Sequence, residues 1–280
     1  MAERCSARLK ARVNPMKQLL IFAGAICLTI GLIAQQPPGG PGAGKGAGKG
    51  AGKGGGRGGY QPPEGPAPKT SWGTPDLNGV WARPYIPDIE RATGGPLPYT
   101  EWGKKQFETY NAEDGDYTGS CLPTGHSRSI GGPDPIQIML TPNHMAFLYE
   151  QNTWFKVFPI DGRPHNPKKV PTWFGDSVGH WDGDTMVVDT TNFNGLTRID
   201  TNGHPHSDQL HTIERFTRTD LGHIAYQMTY EDPKTYTKPV VSDRTFILRT
   251  DWEMQEYSCE ENNKGFIEGR IKMPDYSGKK

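Results

Sequence analysis

From Ile136 to Leu248 the chain repeats one device: a short β-branched or aromatic run, then a tight turn. IQIML (136–140), HMAFLYE (144–150) and TWFKVFPI (153–160) are parted by Pro142-Asn143 and Gln151-Asn152, and the third ends at Asp161-Gly162. SVGHW (177–181) and TMVVDTTNF (185–193) flank Asp182-Gly183-Asp184, a hairpin signal because glycine accepts positive φ. LHTIERFTR (210–218) and HIAYQMTYE (223–231) flank a second tight turn, and PVVSDRTFIL (239–248) and MQEYSCE (254–260) follow. With Asn78–Trp81 as an opening strand, the count reaches about ten strands. Many of the runs alternate in period two: in HIAYQMTYE, Ile224, Tyr226, Met228 and Tyr230 share one face. Short strands in meander order predict a mainly β, antiparallel fold. The expected form is a lipocalin-like barrel, with a two-sheet β-sandwich as the alternative. Thr100 can cap one short helix over Glu101–Asn111.

The chain before this region is of another kind. Leu19–Ala34 is a run of 16 residues without a charge, preceded by Met16-Lys17. It is shorter than the roughly 20 residues a spanning helix needs and suits an export signal. Residues 1–34 therefore read as a signal peptide or, if uncleaved, a signal anchor. The expected location is periplasmic or extracellular, with membrane contact only through this segment. Residues 35–71 read as a disordered Gly/Lys/Pro-rich linker in which AGKG recurs over Ala43–Gly54. The repeat mimics a phosphate loop, but no Ser or Thr follows its lysines to meet Mg²⁺. Its basic residues could touch cell-envelope polymers. Residues 72–280 form the β-rich domain.

The net charge of +0 conceals an asymmetry. From Tyr60 onward 22 Lys+Arg face 30 Asp+Glu, leaving the domain at about −8. Such a surface argues against nucleic acid, which needs clustered cations.

A set of motifs runs in order through the domain: PDLNGVW (75–81), CLP (121–123), DGRPH (161–165), GHWDGDT (179–185), GHPHS (203–207), DPKTYTKP (232–239) and EYSC (256–259). In these the chain resembles a large, mostly uncharacterised family of secreted bacterial proteins. The resemblance implies export and a β-rich domain and carries no established activity. Gly79 two residues before Trp81 is also similar to the opening strand of lipocalin-like barrels.

Several residues could carry chemistry. His204 and His206, two apart in an extended segment, could share one metal ion, with Glu214 or His211 as a third ligand. The acidic residue comes later than a cupin-like spacing requires, and the alternative is a pair of turn-supporting imidazoles. Asp182 and Asp184 read as turn formers. No Gly-x-Ser-x-Gly elbow occurs. Cys121 and Cys259 are the only cysteines beyond the signal; in an oxidising compartment they predict a disulfide, the alternative being a nucleophilic thiol near His126.

Three functions stay open. The first is an exported binding protein with a small apolar or aromatic molecule in a barrel lined by Trp81, Tyr149, Trp154, Trp181 and Tyr226. Trp81, His180, Trp181, His204, His206, Glu214 and Arg215 would form its contacts, and no cofactor is expected. The second is a periplasmic metal-dependent enzyme using His204, His206 and Glu214. The third is an envelope-associated structural or interaction domain.

Overall fold

The computed structural model describes residues 59–262 and Glu268. The expected export signal (1–34) and the linker as far as residue 58 lie outside them. Nine strands form one antiparallel sheet: β1 Gly79–Ala82, β2 Ile136–Leu140, β3 His144–Tyr149, β4 Phe155–Pro159, β5 Asp176–Asp182, β6 Thr185–Thr191, β7 His211–Arg218, β8 His223–Glu231 and β9 Val240–Leu248. The order is β4-β3-β2-β1-β9-β8-β7-β6-β5, two meanders joined where β1 pairs with β9 through Trp81↔Leu248 and Ala82↔Ile247. The two ends of this order meet: β4 lies against β5, and Gly162 N–H donates to Gly179 O at 2.9 Å just beyond β4. The sheet is thus a nearly closed barrel. A two-sheet sandwich does not form, because the pairing runs unbroken from β4 to β5.

Period two sets the inside. Thr212, Glu214, Phe216 and Arg218 on β7, the even residues Ile224–Tyr230 on β8, and Val240, Ser242, Arg244 and Phe246 on β9 are all buried. Aromatic rings fill the lumen: Phe147 lies 5.6 Å from Phe216, Phe216 4.8 Å from Tyr226, and Tyr226 4.7 Å from Phe246, centroid to centroid. Such spacings are those of close-packed aromatic pairs.

The long passage from β1 to β2 carries four short helices: α1 Ile89–Thr93, α2 Glu101–Glu108, α3 Ala112–Gly115 and α4 His126–Ile130. It packs on the barrel through α1 against β9 and through His126 against Glu214 of β7. The single expected helix is α2, with Thr100 Oγ1 accepting from Gly103 N–H at 3.1 Å. The others are brief turns capped by Asp88, Asn111 and a glycine, too short to show a hydrophobic period. In α4, His126, Ser127, Ser129 and Ile130 are buried. Arg83 clamps the end of that helix by donating to Ile130 O at 2.9 Å and Ser129 O at 2.9 Å.

Two expectations are corrected. MQEYSCE forms no strand; the chain there is irregular and ends in a 3₁₀ turn at Cys259–Asn262. Its fixed point is covalent: Cys121 and Cys259 are bonded, with Cα atoms 5.6 Å apart. The folded part also starts before Trp72. Tyr60 Oη donates to Leu248 O at 2.7 Å, and Leu221 N–H donates to Gly65 O at 2.9 Å, so residues 60–65 strap the β7–β8 turn to the end of β9. No helix of the described residues is long and apolar enough to cross a membrane.

Candidate functional site

The expected constellation at the barrel mouth is not brought together. Trp81 is sealed in the core, its indole N–H donating to Leu77 O at 3.1 Å beneath the Arg218 guanidinium. Glu214 and Arg215 are consecutive on β7 and must face opposite sides. Glu214 is in the lumen, whereas Arg215 pairs outside with Asp182 at 2.8 Å. His180 is exposed on β5, and Trp181 is half-buried against the core.

The lumen holds a buried polar chain instead. Tyr149 Oη lies 3.3 Å from His126 Nδ1, His126 Nε2 lies 2.6 Å from Glu214 Oε2, and Tyr226 Oη donates to Glu214 Oε1 at 2.9 Å. Burial keeps His126 below its ordinary pKa, which fits a neutral ring whose Nε2–H donates to the carboxylate. Burial by itself would raise Glu214, but His126, Lys156 and Tyr226 hold it below the ordinary value. Lys156 supplies the counter-charge from β4, with burial lowering its pKa to about 8, and donates to Thr190 Oγ1.

The loop between β6 and β7 carries the expected histidine pair, both of them buried. His204 and His206 diverge within it. His206 Nε2 meets Thr197 Oγ1 at 2.6 Å and its Nδ1 meets Ser207 O at 2.9 Å. His204 turns the other way, its ring stacked 4.5 Å from Phe107 of α2 with Nδ1 2.6 Å from Asp200 Oδ2. Glu214 is engaged in the lumen, so the three expected metal ligands do not converge.

Around His206 the loop, α2 and the residues after β8 enclose a cleft of about 310 Å³. Its walls include Trp102, Tyr117, Thr197, Arg198, His206 and Lys234. Arg198 stacks 4.4 Å over Tyr110, and Lys234 lies 4.8 Å over Trp102. Within the described residues Arg198 has no ion pair or side-chain hydrogen bond, and burial lowers its pKa. Lys234 reaches only the exposed Asp208, at 3.7 Å. Two cations with flat rings thus line one recess of an acidic domain. Of this set the sequence pointed only to His206. Arg198 stands five residues before the Gly203-His204-Pro205-His206 run, but nothing in its neighbours announces a missing partner.

Beside the cleft, the other face of the loop packs on α1. Asp200 accepts four N–H groups: Oδ1 takes Gly203 N at 3.0 Å and His204 N at 3.2 Å, and Oδ2 takes Ile89 N and His204 Nδ1, each at 2.6 Å. Gly203 holds φ at +92, a conformation that aims the two loop amides at one oxygen and that a side chain would strain. Asp88, Asp200 and His204 offer ligand atoms within 4.8 Å of one another.

Compared with known proteins, the chain matches no protein-family model and no curated protein sequence.

Proposed function

We propose that this is an exported binding protein for small aromatic carboxylates, held in the cleft beside α2 rather than in the barrel lumen. A lipocalin-like use of the barrel needs an open interior, and the stacked rings and the His126–Glu214 chain occupy that space. The observation that carries the reading is Arg198, a half-buried guanidinium with no acceptor among the described residues, lining a recess. Guanidinium pairs bidentately with a carboxylate, so a ligand would supply the missing partner. Trp102 and Tyr117 put aromatic surface in the same recess, and Lys234, over the Trp102 ring, adds a second charge. The uncharged run at Leu19–Ala34 supports a location outside the cytoplasm.

Titration calorimetry with benzoate- and indole-type carboxylates tests the reading. Binding weakened about tenfold or more by Arg198→Gln is expected, the scale of one lost charge-assisted hydrogen bond. Ligands that bind equally well to wild type and Arg198→Gln, or none that bind at millimolar concentration, would rule it out.

A further inference from the structure

His204 is wholly excluded from solvent, yet its Nε2 has no hydrogen-bond partner among the described residues. A buried polar nitrogen is ordinarily satisfied, so an orphan of this kind calls for an explanation. The tautomer is set from the other side. Asp200 accepts four N–H groups, a carboxylate's full complement, and one of them is His204 Nδ1. The Nε2 lone pair is therefore exposed to whatever lies in front of it.

Two carboxylates lie there. Asp88 Oδ1 is 4.0 Å from Nε2 and Glu90 Oε1 is 3.8 Å from it. Both gaps are too long for hydrogen bonds. They are close to the spacing of two ligands on one ion, since bonds of 2.0–2.2 Å at tetrahedral angles separate ligand atoms by about 3.3–3.6 Å. Each oxygen already accepts one backbone N–H, Asp88 Oδ1 from Glu90 at 3.0 Å and Glu90 Oε1 from Leu97 at 3.1 Å, and keeps a further lone pair for an ion. Both carboxylates are partly exposed, which leaves them reachable from solvent.

The local field also fits a cation. Asp88 and Asp200 cluster with His204, Glu90 lies 3.8 Å from its Nε2, and Arg91, itself exposed, pairs with Asp88 at 3.5 Å. The Tyr99 hydroxyl is also buried without a partner among the described residues, its ring 6.4 Å from that of His204.

We infer that His204 Nε2, Asp88 and Glu90 bind a divalent transition-metal ion of the zinc type, with Asp200 behind the imidazole to orient it. An imidazole whose second nitrogen donates to a carboxylate is the usual arrangement behind a histidine–metal bond. One nitrogen and two carboxylate oxygens, with water in the remaining position, suit zinc better than the all-oxygen shells of calcium or magnesium. The inference does not depend on the cleft, because no ligand atom is shared with it.

The test uses the full folded protein, prepared without affinity metal and stripped with chelator, then titrated with Zn²⁺ alone by calorimetry. One ion per chain is expected, with a rise in thermal midpoint. Because His204→Ala could disturb packing, the informative variants are Glu90→Gln and Asp88→Asn. These keep size and hydrogen bonding, and near-UV circular dichroism checks their fold. Each should weaken Zn²⁺ binding tenfold or more, and the double variant should lose the rise in midpoint. Arg198→Gln should bind Zn²⁺ as wild type does. Absence of stoichiometric Zn²⁺ on the wild-type chain, or affinity unchanged in Glu90→Gln and Asp88→Asn, overturns the site.

Discussion

His126 Nε2 sits 2.6 Å from Glu214 Oε2, and neither side chain exposes any surface to solvent. The pair joins α4 to the centre of β7. A buried ion or carboxylate stripped of its donor is far costlier than one never buried. His126→Ala is therefore expected to destabilise the domain by about 3–5 kcal/mol. Urea denaturation of the two proteins measures it. A change below about 1 kcal/mol, the scale of an ordinary hydrogen bond, would show that the carboxylate finds another partner.

On the outside of the barrel, carboxylates and imidazoles alternate. His165 bridges Asp176 at 3.2 Å and Asp189 at 2.8 Å, and His211 bridges Asp189 at 2.9 Å and Glu231 at 3.0 Å. The hydrogen bond to Asp189 is the main cause that raises His211. Burial would raise Asp189, but His211 and His165 hold it below the ordinary value. A raised histidine contributes stability that is complete below its unfolded value, about 6.5, and lost as pH climbs through the higher folded value. A depressed aspartate contributes above about 3.9 and loses its share as pH falls through the lower folded value. The chain is thus most stabilising between about pH 4 and pH 6.5. Buried His126 runs the opposite way, its depressed pKa favouring the folded state as pH rises toward 6.5, so raw profiles mix the two. The difference in urea midpoint between wild type and His211→Gln isolates the surface chain. It should be largest near pH 5 and shrink toward alkaline pH; a difference constant across that range contradicts the assignment.

The barrel was legible because its strands carry their own period. IQIML and HIAYQMTYE have the bounds in the structure that their alternation indicates, and Asp182-Gly183-Asp184 turns β5 into β6. MQEYSCE reads as a strand for its aromatic and polar alternation, yet no strand edge receives it and the bond to Cys121 fixes it instead. Glu214 shows the limit more sharply. Period two puts it on the inner face of β7, but its partner His126 is 88 residues away on a helix of one turn. His204 was visible as a histidine of interest, and its neighbours were not. Asp88 and Glu90 stand at the start of α1, which no sequence period announces, and only the folded loop brings His204 to them.

The strap at Tyr60 adds measurable stability. Tyr60 Oη donates to Leu248 O and accepts from Thr250 N–H at 3.1 Å, and the Arg249 guanidinium stacks 4.1 Å over its ring. One net hydrogen bond and one exposed cation–π contact sum to about 1–2 kcal/mol. Tyr60→Ala, or a chain begun at Ser71, should therefore unfold at a lower temperature than one begun at Gln35. Equal midpoints would mean that residues 60–65 rest on the domain without holding it.

The bond between Cys121 and Cys259 links stability to the cleft. The two are separated by 138 residues. Closing so long a loop contributes about 3–5 kcal/mol in the chain-entropy treatment. Neither cysteine lies on a strand, so the sheet does not need the bond for its hydrogen-bonding. Cys121 instead ends the 3₁₀ turn Tyr117–Ser120, and Tyr117 lines the cleft. Losing the bond removes one of the anchors of that wall and leaves the lumen untouched. A Cys121→Ser, Cys259→Ser double variant is therefore expected to melt at a lower temperature, with far-UV circular dichroism of the sheet unchanged at 25 °C. Its affinity for aromatic carboxylates should fall severalfold, while Zn²⁺ binding stays as in wild type, because Asp88, Glu90 and His204 lie on elements that the bond does not reach. Calorimetric titration of both ligands against both proteins separates these effects. Loss of sheet structure at 25 °C would instead make the disulfide a requirement of the barrel itself.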